Sequence, residues 1–240
     1  MRIMQAVYAY LSIVAVALLL NSGEVYAEQT KVESGAEKPT VLVWGDSLSA
    51  AYGIPVEKGW VSLLQAKYKD QVDVVNGSIS GETTQGGLSR LPDALELHKP
   101  RLLVLELGAN DGLRGLKPDV MKENLQAMID LAKEASAQVA LIGIRIPLNY
   151  GFVYTQKFEQ VYVDIAEAND LPFLPFLLEG VALDFDLMQA DGLHPTAEAQ
   201  PKVFEHVLTV LEPVMADLVD EESEKEEAVT LVPAGAAAEG

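Results

Sequence analysis

The chain has 240 residues, 49% of them hydrophobic, which is enough for one domain with a sizeable core and terminal extensions. Its 17 Lys and Arg residues against 36 Asp and Glu residues give a net charge of -19, which argues against a nucleic-acid partner, because phosphate binding needs a clustered basic face. The absence of cysteine excludes disulfides, a thiolate nucleophile and zinc–thiolate sites.

The first 27 residues have the pattern of a secretory signal. Arg2 gives a positive start, residues 6–20 form an apolar run, and a small-residue cleavage site ends at Ala27. The alternative is an uncleaved membrane anchor, which is disfavoured because the run is shorter than the ~20 residues that span a bilayer. We therefore expect a periplasmic or secreted protein with no stable membrane anchor after cleavage, and a flexible lead-in at 28–39.

The first predicted strand runs directly into a turn that contains a serine. Residues 41–43 are an uninterrupted apolar run, typical of a strand buried on both faces of a parallel sheet, and Gly45 ends it. Ser47 then follows the carboxyl end of this strand, where open α/β sheets bind ligands. Ser47 is therefore a candidate nucleophile, although a serine in this position is also commonly a helix N-cap.

Strands and helices alternate along the rest of the domain. Further strands are predicted at 72–75, 102–107, 139–144 and 171–174. Helical spacing of apolar residues predicts helices at 60–68, 119–135, 158–165 and 204–211. This alternation predicts one α/β domain at 40–215, built on a parallel, doubly wound sheet. The acidic composition that follows predicts a disordered, solvated tail at 216–240.

His194 is the candidate general base among only three histidines. Asp191 precedes it by three residues across a turn that contains Gly192, a separation that lets the carboxylate accept the Nδ1 proton and leaves Nε2 facing outward. Pro195 disfavours helical geometry at His194 and starts a helix well. The alternative is a simple turn with Asp191 as a cap and an exposed imidazole.

Two small polar loops could supply donors to an oxyanion. Gly81 lacks a side chain, so its backbone N–H could approach a reacting carbonyl, and Asn110 could add a side-chain NH₂. The alternative for each is ordinary turn formation, because glycine and asparagine are both common in turns.

Together these segments resemble the sequence blocks of the SGNH (GDSL) hydrolase family. The matching segments are Gly45-Asp46-Ser47-Leu48, Gly81, Gly108-x-Asn110-Asp111 and Asp191-x-x-His194-Pro195. The likeness covers roughly residues 40–211 and is strongest to the periplasmic thioesterases and secreted arylesterases of the family.

The resemblance implies a three-layer α/β/α domain on a flavodoxin-like, five-stranded sheet. It also implies Ser47 as nucleophile, His194 as base and Asp191 as the residue that orients the base. The implied oxyanion hole consists of the Ser47 and Gly81 backbone amides and the Asn110 side chain. No metal or organic cofactor is needed for this chemistry.

We therefore expect a monomeric serine esterase whose partner is a small-molecule acyl ester or thioester, including aryl esters and lysophospholipids. It would act through an acyl-enzyme. One alternative is a carbohydrate acetylesterase of the same family. Another is a non-catalytic protein that binds lipid or glycan, against which the intact Ser47, Asp191 and His194 count.

The acyl chain is expected to lie between the loops that follow the third and fourth strands. The apolar residues of these loops are Leu113, Leu116, Ile146, Pro147 and Leu148. The alternative is that they only cover the top of the core. The resemblance implies that the first of these loops moves when substrate binds.

Overall fold

A computed structural model describes residues 38–230, with side chains through residue 220. Five strands form the sheet: β1 Thr40–Gly45, β2 Asp73–Asn76, β3 Leu102–Glu106, β4 Gln138–Ile142 and β5 Phe173–Leu174. Their order is β2-β1-β3-β4-β5, and every neighbouring pair is parallel. The predicted doubly wound sheet is therefore confirmed.

The main helices are α1 Trp60–Tyr68, α2 Thr84–His98, α3 Ala109–Leu113, α4 Pro118–Glu134, α5 Phe152–Asn169 and α6 Gln200–Thr230. Single 3₁₀ turns occur at Val56–Lys58, Leu148–Tyr150 and Phe185–Leu187. Helix α2 packs against α4, and α4 against α5, whereas α1 packs against α6. These two groups of helices cover the two faces of the sheet, which gives the expected three-layer α/β/α domain.

The central strands β1 and β3 are buried because both of their faces are covered by helices. All five residues of β3 are buried, and Val41, Leu42 and Val43 of β1 are 0% exposed. This burial explains the uninterrupted apolar runs in the sequence. Because all five strands are parallel, the segments that carry the candidate site residues leave the sheet at one edge.

Helix α2 was not among the helices predicted from apolar spacing. Its sequence contains Gly86, Gly87 and Pro92, which lower helix propensity and interrupt the apolar pattern. A hydrogen bond from the Gly86 N–H to the side chain of Thr83 caps the helix at its start. Leu91 and Leu95 are buried and anchor the helix on the sheet.

The last helix extends beyond the predicted end of the domain. Helix α6 continues to Thr230, and the apolar spacing of Leu211, Met215 and Leu218 continues its buried face. The structure thus differs from the predicted tail at 216–230, because the helical pattern overlaps the start of the acidic composition. The predicted signal at 1–27, most of the lead-in and residues 231–240 lie outside the described residues. None of the described helices is both long and apolar enough to cross a membrane.

Truncation after Met215 should therefore lower the free energy of unfolding. Leu218 is only 1% exposed, and burying a leucine side chain contributes about 1.5–3 kcal/mol. Truncation after Asp220 keeps Leu218 and should change the thermal midpoint little. Calorimetry on the two truncated chains checks this, and equal midpoints would show that Leu218 contributes nothing to stability.

Candidate active site

Ser47 lies in the turn that leaves the carboxyl end of β1. The turn is closed by a hydrogen bond from the Tyr52 N–H to the Ser47 carbonyl, 3.1 Å long. Ser47 does not cap helix α1, whose N-cap is Gly59. Gly45 is required just before the turn, because an added Cβ would lie 2.5 Å from Oε2 of Glu106.

The side chains of Ser47, His194 and Asp191 form one hydrogen-bonded line. Nε2 of His194 lies 2.8 Å from Oγ of Ser47, and Nδ1 of His194 lies 2.7 Å from Oδ2 of Asp191. The other Asp191 oxygen accepts hydrogen bonds from the N–H groups of Leu193 and His194, at 2.9 and 3.0 Å. The turn predicted from the spacing of Asp191 and His194 thus holds both the carboxylate and the ring.

The charge of Asp191 fixes the tautomer of His194. Burial alone would raise the pKa of Asp191, but the hydrogen bonds from Leu193 and His194 lower this pKa to about 2. An ionised carboxylate only accepts hydrogen bonds, so Nδ1 must donate to it. Nε2 of the neutral ring is then free to accept the proton of the Ser47 hydroxyl.

The candidate oxyanion donors lie beside Ser47. Asn110 is in the first turn of α3, and its Nδ2 donates to Oδ2 of Asp46 at 3.1 Å and to the Glu82 carbonyl at 2.9 Å. Gly81 has a φ of +81°, a left-handed conformation that favours glycine. Apart from its chain neighbours, no atom of the described residues lies within 4 Å of a Cβ added there, so the space above its backbone is open. The structure therefore brings Ser47, Gly81 and Asn110 together at one cavity.

This cavity has a volume of about 400 Å³ and contains Ser47 and His194 in its wall. Three of the predicted substrate-binding residues line it, namely Leu113, Ile146 and Pro147. Sequence reasoning missed other apolar wall residues, which are Leu48, Tyr52, Ile144, Phe176, Leu178 and Leu193. Among the described residues, no cluster of three or more His, Cys, Asp or Glu side chains could hold a metal ion.

Two of the predicted substrate-binding residues, Leu116 and Leu148, lie outside this cavity. The hydroxyl of Tyr154 donates to the Leu116 carbonyl at 2.6 Å, which holds this part of the loop against α5. Leu148 begins a 3₁₀ turn, is 75% exposed and lines a neighbouring cavity instead. Their role in binding the acyl chain therefore stays a prediction, and the structure places neither of them in the wall that contains Ser47.

A pair of buried carboxyl groups beneath the Ser47 turn was also missed. Asp46 and Glu106 are both 0% exposed, and the Ser49 hydroxyl donates to Glu106 Oε2 at 2.6 Å. Burial raises the pKa of Asp46 to about 6 and raises the pKa of Glu106 well above its usual range. In the predicted strand at 102–107 every residue except Glu106 is apolar. This single charged residue in a buried strand is the sequence signal that could have identified it.

These carboxyl groups should make the protein more stable as the pH falls from about 7 to about 4, the range that spans the folded and unfolded pKa of Asp46. A raised pKa means that the folded state binds a proton at a pH where the unfolded state, with an Asp pKa of 3.8, does not. Lower self-repulsion also stabilises this acidic chain at lower pH, so a control is needed. Thermal midpoints across this range should depend less on pH in Glu106→Gln than in Glu123→Gln, which removes an exposed carboxylate. Equal pH dependence in the two variants would contradict the prediction.

A serine, an imidazole and a carboxylate in line at the carboxyl edge of a doubly wound sheet are the arrangement of a serine hydrolase. Comparison with known proteins gives the family. The chain belongs to the GDSL-like lipase/acylhydrolase family, whose model matches residues 43–200. It is therefore a carboxylic ester hydrolase of the SGNH type, and the resemblance found in its sequence is confirmed.

Individual relatives cover most of the domain. Esterase TesA of Pseudomonas aeruginosa is 46% identical over 183 residues, which are 75% of this chain and 91% of that protein. Thioesterase 1/protease 1/lysophospholipase L1 of Escherichia coli is 42% identical over 75% of this chain and 86% of that protein. The crystal structure of the psychrotrophic esterase EstA from Pseudoalteromonas sp., inhibited by monoethylphosphonate, is similar with a TM-score of 0.71. It is 41% identical and covers 75% of this chain and 100% of that chain.

Proposed function

We propose that the protein cleaves acyl esters and acyl thioesters through a covalent acyl-enzyme on Ser47. The observation that carries this proposal is the line of hydrogen bonds from Ser47 through His194 to Asp191, at 2.8 and 2.7 Å, in the wall of an apolar cavity. His194 takes the Ser47 proton as Oγ attacks the carbonyl carbon, and then delivers that proton to the leaving group. Water deacylates Ser47 by the same route.

The developing oxyanion would be held by the backbone N–H groups of Ser47 and Gly81 and by Nδ2 of Asn110. Both hydrogens of the Asn110 amide already have acceptors, Asp46 Oδ2 and the Glu82 carbonyl. We infer that the oxyanion replaces the Glu82 carbonyl as acceptor, because Asp46 is buried and keeps the amide in place. The amide is then oriented before the charge develops.

The lining of the cavity supports a hydrocarbon acyl group as the preferred substrate. Leu113, Ile146 and Phe176 belong to this lining and offer apolar contacts, which a carbohydrate acetylesterase would not need. Two relatives are named as an esterase and as a thioesterase and lysophospholipase, which agrees with this choice. A non-catalytic binding protein would have no use for the aligned Ser47 and His194.

Labelling with an ethyl phosphonate p-nitrophenyl ester tests the nucleophile. The reagent should release p-nitrophenol once, abolish esterase activity and leave a phosphonyl group on the peptide that contains Ser47. Monoethylphosphonate is the inhibitor in the related Pseudoalteromonas structure. A label on any other serine would overturn the assignment, and turnover of p-nitrophenyl acetate before labelling distinguishes an enzyme from a binding protein.

Ile146→Ala should lower kcat/KM selectively for long acyl chains. Ile146 is 5% exposed, and its side chain lines the cavity next to Gly112. Loss of apolar contact in such a pocket costs roughly 1–3 kcal/mol of transition-state binding for a chain that reaches it. Rates on p-nitrophenyl esters from acetate to palmitate would be compared with those of Leu116→Ala, whose side chain is 42% exposed and outside the cavity. An equal loss for all chain lengths, with a lowered thermal midpoint, would make Ile146 a core residue only.

We also propose that the chain is exported, cleaved after Ala27 and monomeric, with a catalytic domain that extends from residue 40 to at least Leu218. The positive start, the apolar run and the small residues at 25–27 support export. Amino-terminal sequencing of protein recovered from the periplasm or medium, followed by light scattering, tests these points. An intact Met1 would contradict cleavage.

A further inference from the structure

The aromatic ring of Tyr52 lies against the imidazole of His194. The two ring centroids are 4.6 Å apart, with 41° between the ring planes. Tyr52 also lines the cavity that contains Ser47, and it is 51% exposed. A large apolar ring thus covers one side of His194 and still has a face available to a ligand.

The backbone around Tyr52 is held in an unusual conformation. Ala51 has a φ of 58° and Gly53 a φ of 75°, and the left-handed region is unfavourable for alanine. Gln189 Nε2 donates to the Tyr52 carbonyl at 2.8 Å and to the Pro195 carbonyl at 3.0 Å. The Tyr52 turn is therefore tied to the loop that carries His194. Such a strained conformation persists only where its surroundings determine it, which indicates that the placement of Tyr52 is built into the fold.

The chemistry of acyl transfer determines which part of the substrate Tyr52 can meet. His194 must protonate the leaving oxygen or sulfur, so the leaving group has to lie at Nε2 of His194. The carbonyl oxygen points instead toward the donors at Gly81 and Asn110. Of the residues that line the cavity, Tyr52 is the one whose ring packs against His194 in a tilted contact, and it therefore flanks the position of the leaving group.

We propose that Tyr52 is a specificity-determining residue that stacks on aromatic leaving groups, so that phenol-type alcohols are preferred over small alkyl alcohols. This inference depends on the proposed acyl-enzyme mechanism, because it places the leaving group by the proton that His194 delivers. Offset or tilted aromatic pairs form with centroids about 4.5–7 Å apart, a range that a phenyl ring on the open face of Tyr52 can reach.

The test compares phenyl acetate with ethyl acetate, which share an acyl group and differ in the leaving group. The value of kcat/KM includes only the steps up to departure of that group, so deacylation does not affect the comparison. The variants are Tyr52→Phe, Tyr52→Leu and Tyr52→Ala. Phe185→Ala is the control, since Phe185 is an aromatic residue that is 90% exposed and does not line the cavity.

We expect Tyr52→Leu and Tyr52→Ala to reduce kcat/KM for phenyl acetate about 2- to 10-fold more than for ethyl acetate. Tyr52→Phe and Phe185→Ala should keep the wild-type ratio. An equal loss of kcat/KM on both esters would overturn the proposal and show that Tyr52 acts only through His194. An unchanged kcat/KM on both esters would also overturn it. Wild-type protein that hydrolyses neither ester would instead contradict the proposed function itself.

Discussion

Ser47→Ala and His194→Ala should each lower kcat on p-nitrophenyl esters by on the order of 10⁴–10⁶, with the fold intact. Without Oγ no acyl-enzyme forms, and without the imidazole the hydroxyl keeps its proton, because Nε2 of His194 lies 2.8 Å from Oγ of Ser47. Since the two groups act in one proton transfer, the double variant should lose little more than either single variant. Circular dichroism checks the fold, and steady-state rates check the non-additivity.

Two variants on helix α2 provide matched controls for this experiment. Ser89 donates its hydroxyl to the Gln85 carbonyl, and His98 is the last residue of the helix. Neither residue lines the cavity, so Ser89→Ala and His98→Ala should retain the wild-type kcat. A Ser47→Ala variant with kcat near that of these controls would remove Ser47 as the nucleophile. Losses that multiply in the double variant would show that His194 does not act through Ser47.

Local sequence pattern was enough to find the parts of the site that lie within one turn. The carboxylate of Asp191 and the ring of His194 are three residues apart, and the turn between them brings Nδ1 to 2.7 Å from Oδ2. The contact between Ser47 and His194 spans 147 residues of sequence. No periodicity or spacing predicts such a contact, and it was anticipated only through the resemblance to a family.

The buried pair of Asp46 and Glu106 and the loop at Leu116 are features that the sequence did not predict and that only the three-dimensional structure reveals. The register of β1 on β3 pairs Gly45 with Glu106, and this pairing brings the Glu106 carboxyl under the Ser47 turn. Strand register is set by the whole sheet, so neither strand reveals it alone. The loop at Leu116 is likewise held by a hydroxyl from residue 154, whose contact spans 38 residues of sequence. Both features depend on contacts between distant segments, which apolar patterns do not report.

Asn110→Ala should lower kcat by about 10²–10³ and change KM little. Its amide matters most when the substrate carbonyl oxygen becomes an oxyanion, because only then does a strong acceptor replace the Glu82 carbonyl. The substitution also leaves the buried Oδ2 of Asp46 without this donor, which should cost about 1–3 kcal/mol of stability. Kinetics should therefore be measured well below the thermal midpoint of the variant.

The loss of stability and the loss of catalysis can be separated with Asn124→Ala. Nδ2 of Asn124 donates to Oγ1 of Thr84 at 3.0 Å, and its side chain is buried outside the cavity. This variant should lose stability to a similar extent and keep its kcat, because no reacting atom meets Asn124. If Asn110→Ala raises KM at constant kcat, Asn110 binds substrate and transition state equally, and the oxyanion would then depend on the backbone amides of Ser47 and Gly81.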